Sequence, residues 1–568
     1  MSSLRLQCNE RSRVQELFLP IGIYGVGALV FFRWQIFSKF DLIFGDRGDS
    51  RFVAFVHEHV FQWLVGRSSL LSPPFFYSQT ETLGYSDGFL LDQVIYAPLR
   101  LLGVGPLLSL SLIAVILSAI SYFFLYVLLR RLEISELIAS LVSLLFVFPN
   151  NLFLMSGHLQ LFAVYYLPIF AYCAFDSAMN LHIKPYRAYL LGGCAGGLYG
   201  LVFSTSYYVA WFFGSALLIF ALIAAPTAWP VLRAAWVKKP SAAITLGTVA
   251  SIGFLLALTI FVIIYAPVLE LGFKRPFAEY LFFAPRLNDI INVGSANIFW
   301  SKLIRSFDLV SDERLNFLEV NVALTPLIQL FLVISACTAV LPRFWPASDV
   351  GRVSRAFVLA CTTVCLLFFI VTVKIGEQSL FRLAYEKLPG ANAIRAGYRS
   401  MVVANFFAVI PIGLTFNQLF RPQIGKSSTW FVVARPTAFI TLLVLAAVEQ
   451  VNLDQPARLS RNFEREHLDV LPAPPRICRS FYAAPQMGRQ PYEVQTDAMM
   501  MAIAHRLPTI NGYSGNIPPG WDFYDTSTTD YEQRAQRWAV KRGIEKGLCR
   551  LDVDRGIWTV LGDGELMQ

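Results

Sequence analysis

GDRGDSRFVAFVHEHVFQWLVG, residues 45–66, opens on two acids three positions apart and runs on as an apolar stretch broken by HEH. Phe52, Val53, Val56, Val60, Phe61 and Leu64 recur at helical spacing, which predicts an amphipathic helix. A bilayer span needs about 20 predominantly apolar residues. This stretch carries Arg51, His57, Glu58 and His59 in its middle, so it is expected to lie in the membrane interface. Asp46 and Asp49 fall at its N-terminal end, where the helix dipole favours anions. The plain alternative is that Asp49 and Ser50 only cap the helix. RGDS is also a tetrapeptide that integrins read, but an adhesion ligand needs a protruding tip, and a loop entering an interfacial helix is not one.

Outward from this stretch, the chain is membrane protein in nearly every direction. It has 568 residues, 55% of them hydrophobic and only 15% charged, against roughly 25% charged in a soluble domain. The mean hydropathy is +0.53. About eleven spans are expected, near 17–35, 104–129, 135–154, 158–177, 187–204, 207–226, 241–266, 322–342, 355–374, 401–420 and 434–450. The pair at 187–226 is split by the polar STSYY patch, read as a tight turn. The basic N-terminus runs into the first apolar segment without a small-residue cleavage site, which predicts an uncleaved signal anchor.

The net charge of +9 does not point to nucleic acid, because the positive residues sit in short loops. With the N-terminus placed in the cytoplasm, the inside segments hold Arg5, Arg11, Arg13; Arg130, Arg131; Lys184, Arg187; Arg233, Lys238, Lys239; Arg343, Arg352, Arg355; and Arg421, Lys426, Arg435. The opposite turns at 155–157 and 204–206 hold none, as the positive-inside rule requires. Residues 1–450 then form the transmembrane domain, with outward loops at 36–103, 267–321 and 375–400. An odd number of spans puts residues 451–568 outside as well. That tail is rich in charge, Pro and Gly. RICRSFYAA (476–484) and LCRLDVDRGIWTVL (548–561) read as strands, and PYEVQTDAMMMAIAHRL (491–507) and DYEQRAQRWAVKRG (530–543) as helices, so a small α/β domain is expected. Cys478 and Cys549 are the only cysteines of the tail and are candidates for a disulfide. The absence of any N-x-[ST] sequon leans towards a bacterial inner membrane, with the tail in the periplasm.

Polar side chains concentrate at the outward ends. SDGFLLDQ places Asp87, Asp92 and Gln93 before the second span, and HLQ places His158 and Gln160 at the start of the fourth. Polar groups there are costly unless they are paired or face a cavity. With Tyr398 and His59, these are the candidate cavity and acceptor residues. Asp46, Asp49, His57, Glu58, His59 and Asp87 are the conceivable metal ligands. They have no recognised ligand spacing, and HEH points adjacent side chains to different helix faces. A divalent metal is therefore possible but not favoured, and no other cofactor is expected. FKRPFAEYLFFAPRLND (273–289) supplies Lys274, Arg275 and Arg286, and LPGANAIRAGYRS (388–400) supplies Arg395 and Arg399. The last two, four apart, would share one helix face at the depth of a lipid phosphate, which guanidinium groups bind bidentately. Interfacial arginines touching ordinary headgroups are the bland alternative.

Taken in order, GDRGDSRF (45–52), PFFYSQTETLGYSDGFLLDQVIYAPLRLLG (74–103), SGHLQLFAVYYLPIF (156–170), LPGANAIRAGYRS and NGYSGNIPP (511–519) resemble polytopic GT-C glycosyltransferases, and among them the YfhO-like bacterial members. The resemblance implies a multi-pass helical fold with an outward C-terminal domain. It implies transfer of a sugar from a polyprenyl-phosphate donor to a glycolipid, polysaccharide or protein acceptor at the outer face, by inverting displacement. It further implies Asp46 or Asp49 as general base, with Arg395, Arg399 or Arg286 at the donor phosphate. NNLFLMSGH, the next outward turn, lacks the second acidic pair of the metal-dependent mechanism. A lipid-linked saccharide transporter would carry mid-span charges and an internal repeat, which are not seen here. A non-catalytic envelope-assembly subunit is the third reading.

Overall fold

The computed structural model describes residues 10–420, 429–454, 458–484 and 488–561. Arg5, Cys8, Arg421 and Lys426 lie outside the described residues. The apolar runs fold as helices because lipid offers no partner for an open backbone N–H or C=O. Among the described residues, seven helices are long and apolar enough to cross a bilayer: Pro106–Arg131, Glu136–Gly157, Leu159–Asn180, Tyr207–Pro230, Pro240–Glu270, Asp349–Thr372 and Gly397–Leu419. The other four expected spans are also helical. Three are apolar helices of 10–17 residues, Leu17–Phe31, Pro326–Val340 and Thr437–Val448.

Pro185–Phe203 is the fourth. It is diluted by glycines that a neighbour requires. A Cβ at Gly196 would lie 2.0 Å from the Ala250 carbonyl oxygen, and one at Gly253 would lie 2.5 Å from that of Gly193. The two backbones meet without side chains between them, as small-residue helix pairs in membranes do.

The elements used below are α1 (Glu10–Phe31), β1 (Leu42–Phe44), α2 (Asp49–Leu64), α3 (Glu136–Val147), α4 (Thr429–Val448), β2 (Arg458–Ser460), α5 (Arg461–Asp469), β3 (Ser480–Ala484), α6 (Pro491–His505), α7 (Tyr531–Lys541), β4 (Leu548–Asp552) and β5 (Ile557–Val560). The tail folds as an α/β unit. Strands β3 and β4 pair in parallel, and β4 and β5 antiparallel. A disulfide joins Cys478 to Cys549. Phe481, Val494, Ala498, Met501 and Leu551 make a small core of its own.

The tail's other face merges with the core of the first loop through Tyr482, Met499, Ile510 and Trp521. Strand β1 pairs with β2, Ile43 opposite Leu459. The Phe76 and Tyr77 N–H groups donate to the Asn511 and Thr509 carbonyls at 2.9 and 3.0 Å.

This docking corrects the reading of α2. The helix is not laid on a lipid surface, because every residue from Ser50 to Phe61 is buried between tail and bundle. Its polar residues are paired inside. Arg51 bonds Glu464 and Asp497, Glu58 takes Arg100 and Tyr96, and His57 meets Asp92 at 3.3 Å. Arg47 is held by Glu464 and Glu493 over the Phe463 ring, so RGDS is no protruding tip.

Candidate functional site

The two acids of the opening stretch divide their roles. Asp46 is exposed, and one of its carboxylate oxygens accepts the N–H groups of Gly48 and Asp49 at 2.9 and 2.8 Å. It therefore tethers the first turn of α2, the task first assigned to Asp49 and Ser50. Ser50 instead donates to the Phe44 carbonyl at 2.7 Å. Released from capping, Asp49 turns its carboxylate into a cavity of about 300 Å³. One oxygen accepts the Tyr513 hydroxyl at 2.8 Å, and the other lies 3.1 Å from His158 Nδ1.

His158 joins three loops. Its Nε2 lies 2.9 Å from Arg399 Nη2 and 3.3 Å from Glu319 Oε1, and Arg399 Nε donates to Glu319 Oε2 at 2.9 Å. A guanidinium can only donate. In a neutral ring Nε2 therefore accepts from Arg399, and in a protonated ring it donates to Glu319. In both cases Nδ1–H points to Asp49. Burial and the nearby Arg399 favour the neutral ring, yet the hydrogen bonds to Asp49 and Glu319 raise the His158 pKa above its usual value. Burial would raise the Asp49 pKa, but the bonds from His158 and Tyr513 and the Arg399 charge hold it below the ordinary carboxylate range. Glu319 is likewise held low against its burial, by Arg399 and His158. Asp49 is thus an ionised acceptor at neutral pH, with its orientation fixed from two sides.

The cavity opens into a larger groove of about 570 Å³. Ser86, Gln160, Arg275, Arg395, Arg399 and Gly515 line both. Away from the arginines, the groove is walled by aromatic and aliphatic residues, including Phe203, Trp211, Phe261, Tyr265 and Val268. Arg275 and Arg395 share one carboxylate, Glu279, at 3.4 and 3.5 Å. Arg399 is buried and stacks on Tyr208, 5.6 Å from the ring centre. Asp87 lines the groove, accepts the Tyr207 N–H at 2.8 Å and is pushed up to about 6 by burial.

The structure therefore brings Asp49, Asp87, His158, Gln160, Arg395 and Arg399 to one continuous space. It sends the other candidates elsewhere. Arg286 is exposed and lines neither cavity, because its backbone is tied into a turn with Asp289. His59 is buried against the Leu70 carbonyl at 2.9 Å, and burial lowers its pKa to about 4. Asp92 accepts the Tyr166 hydroxyl at 2.8 Å, Gln93 donates to the His57 carbonyl at 3.1 Å, and Tyr398 donates to that of Asp289 at 3.0 Å. Arg395 and Arg399 also do not share a helix face. Arg395 precedes the 3-10 turn Gly397–Arg399, and the following helix begins only at Ser400. The turn carries Arg399, the Tyr208 hydroxyl accepts the Arg395 N–H at 2.8 Å, and both arginines line the cavity.

Among the described residues, no group of three or more His, Cys, Asp or Glu side chains could hold a metal ion. Asp46, Asp49 and Asp87 do not converge. In the Asp49–His158–Glu319 set, the two carboxylates address opposite nitrogens of one ring, and Arg399 already supplies the cation beside Glu319. These residues do not fit a divalent ion as arranged.

Glu319 and Tyr513 escaped the sequence reading. Glu319 lies in FLEV, a single acid between apolar residues, and offered no pattern. Tyr513 lies in NGYSGNIPP, where the turn-rich composition marks a loop but not its destination.

The chain matches no protein-family profile and no curated protein sequence. It is similar in structure to the oligosaccharyltransferase of Archaeoglobus fulgidus in its apo form. The TM-score is 0.50 at 12% identity, over 94% of this chain and 69% of that one. A second structure, the archaeal oligosaccharyltransferase AglB of the same organism with an inhibitory peptide and a dolichol-phosphate, aligns at a TM-score of 0.48, also with 12% identity and over the same shares of both chains. The likeness is one of fold, that of a polytopic helical membrane protein with a C-terminal domain.

Proposed function

We propose that the protein is a membrane glycosyltransferase that moves a sugar from a polyprenyl-phosphate carrier to an acceptor hydroxyl or amide at the face carrying the first loop. The observation that carries this reading is the continuity of the two cavities. An aromatic groove suited to a prenyl chain leads past Arg275, Arg395 and Arg399 to the Asp49 carboxylate. In the proposed reaction Asp49 takes the acceptor's proton as its heteroatom bonds to the anomeric carbon. The bond from that carbon to the phosphate oxygen breaks, and its electron pair stays on the lipid phosphate beside Arg395 and Arg399. A low Asp49 pKa makes it a base only while the new bond forms, which limits idle protonation. His158 and Tyr513 aim the carboxylate, and Glu319 sets the orientation of Arg399. The face is taken to be the outer one of a bacterial inner membrane, with the N-terminus in the cytoplasm, a YfhO-like placement. The envelope acceptor is a glycolipid, polysaccharide or protein.

The test is sugar transfer by the protein reconstituted in liposomes with a radiolabelled polyprenyl-phosphate sugar and extracted envelope acceptors. Asp49→Asn should lower transfer by roughly 10²–10⁴-fold, the usual weight of a general base, with donor binding retained. Asp46→Asn should keep most activity. Equal, small effects of both would refute the assignment.

A further inference from the structure

We propose a second lipid site, independent of the transfer reaction: the groove between α1, α3 and α4 holds an acyl chain of an anionic phospholipid whose phosphate is read by Arg33. The groove has a volume of about 440 Å³ and is apolar along its length, with Arg33, Gln450 and Asn452 gathered in its lining. Two glycines of α1 explain its shape. A Cβ at Gly27 would lie 2.2 Å from Leu144 Cδ1, so α1 and α3 touch there. At Gly22 a Cβ would meet nothing within 4 Å, so space opens beside the helix towards its start. Ile23, Val26, Leu141, Leu145, Val444 and Val448 face that space, and a free apolar groove on a membrane helix is filled by lipid chains.

The head end carries the selectivity. Arg33 Nη1 donates to the Val30 carbonyl at 2.8 Å and Nη2 to that of Asn452. Its guanidinium stands 5.0 Å from the Phe153 ring centre and 5.6 Å from that of Trp34. The cation is thus immobilised before any ligand arrives, with further N–H donors to offer. Arg458 stacks on Trp34 at 4.3 Å, and the neighbouring acid is Asp454, 3.5 Å from Arg458. Two guanidinium groups facing one carboxylate leave a net positive site at headgroup depth. A net-anionic headgroup complements it better than a zwitterionic choline headgroup, whose ammonium offsets the charge of its phosphate. The site also adjoins the catalytic loop, because Arg33 begins the short segment that runs through β1 to Asp46 and Asp49.

The purified full-length chain, stripped of lipid in neutral detergent, is titrated with phosphatidylglycerol or phosphatidylcholine of identical acyl chains, and bound lipid is counted by native mass spectrometry. Wild-type protein should retain phosphatidylglycerol about fivefold more tightly, since a cation near a membrane surface contributes about 1 kcal/mol. Arg33→Gln should abolish the difference. Gly22→Phe, placed in open space, should lower retention of both lipids. Equal retention of the two lipids by wild type would overturn the proposal without reference to any variant, and so would unchanged selectivity in Arg33→Gln.

Discussion

Replacing Arg51 with Met should loosen the tail from the first loop. Arg51 is 1% exposed and lies between Glu464 and Asp497, which are 1% and 0% exposed. Its Nε donates to Glu464 at 2.6 Å and its Nη1 to Asp497. Removing one partner of a buried ion pair costs about 3–5 kcal/mol, because the charge left behind is desolvated and uncompensated. Here neither carboxylate is left alone. Glu464 keeps Arg47 at 2.9 Å, and Asp497 keeps Arg489 at 2.6 Å and His467 at 3.1 Å. The lower end applies, about 3 kcal/mol, which is roughly a hundredfold in the docking equilibrium. Hydrogen exchange reads this directly. Amides of α2 and α6 should lose about a hundredfold of protection while the membrane helices keep theirs. The double variant Arg51→Met/Glu464→Gln should recover part of the loss, since it removes a buried carboxylate that has lost one of its two guanidinium partners. If α2 and α6 exchange within threefold of wild type, docking rests on the apolar contacts, and the buried ion cluster contributes nothing measurable.

Other outcomes follow from the same geometry. Tyr513→Phe removes one of the two donors to Asp49 and should raise the Asp49 pKa; the acid limb of the pH profile for the proposed transfer should move to higher pH, with the tail still docked. Hydrogen bonding from His467 and the charges of Arg51 and Arg489 outweigh burial and hold Asp497 at about 2, against 3.8 for a free aspartate. A depressed carboxylate stabilises the fold above its unfolded pKa, so this contribution is whole above about pH 3.8 and is lost as pH falls towards 2; protease sensitivity of the tail should rise across that window. Reducing Cys478–Cys549, which closes a loop with a sequence separation of 71, should destabilise the tail by about 4 kcal/mol, read as a lower unfolding temperature for tail tryptophans. Gly196→Leu should push Pro185–Phe203 away from Pro240–Glu270 and lower folded yield in membranes, whereas Gly247→Leu, which meets nothing within 4 Å, should not.

Much of the architecture was legible because it is local. A run of apolar residues has one way to satisfy its backbone in lipid, so every expected span is a helix, down to the tight turn at Ser204–Ser206. The strands β3 and β4 and the helices α6 and α7 also lie where alternation and helical spacing put them. The errors came where distant chain supplies the environment. The helix of HEH and Arg51 was expected to lie in the interface, but Glu464 and Asp497, more than four hundred positions away, cover Arg51, and Asp92, Tyr96, Arg100 and Leu70 take up HEH. Arg286 read as equal to Arg395, until a turn with Asp289 turned it out to solvent.

Sequence alone determined that this chain crosses a membrane many times, that its polar side chains gather at one end, and that two acids in GDRGDS stand at the start of a helix there. Only the tertiary structure decided which of them faces the cavity. Asp46 and Asp49 are chemically alike and three residues apart, and nothing within that stretch separates them. What separates them is the partner set. Two N–H groups of its own turn claim Asp46, whereas His158 and Tyr513, arriving 109 and 464 positions along the chain, fix Asp49 against the arginine-lined cavity. A pKa and an orientation belong to the surroundings of a side chain, and those surroundings exist only once the chain has folded.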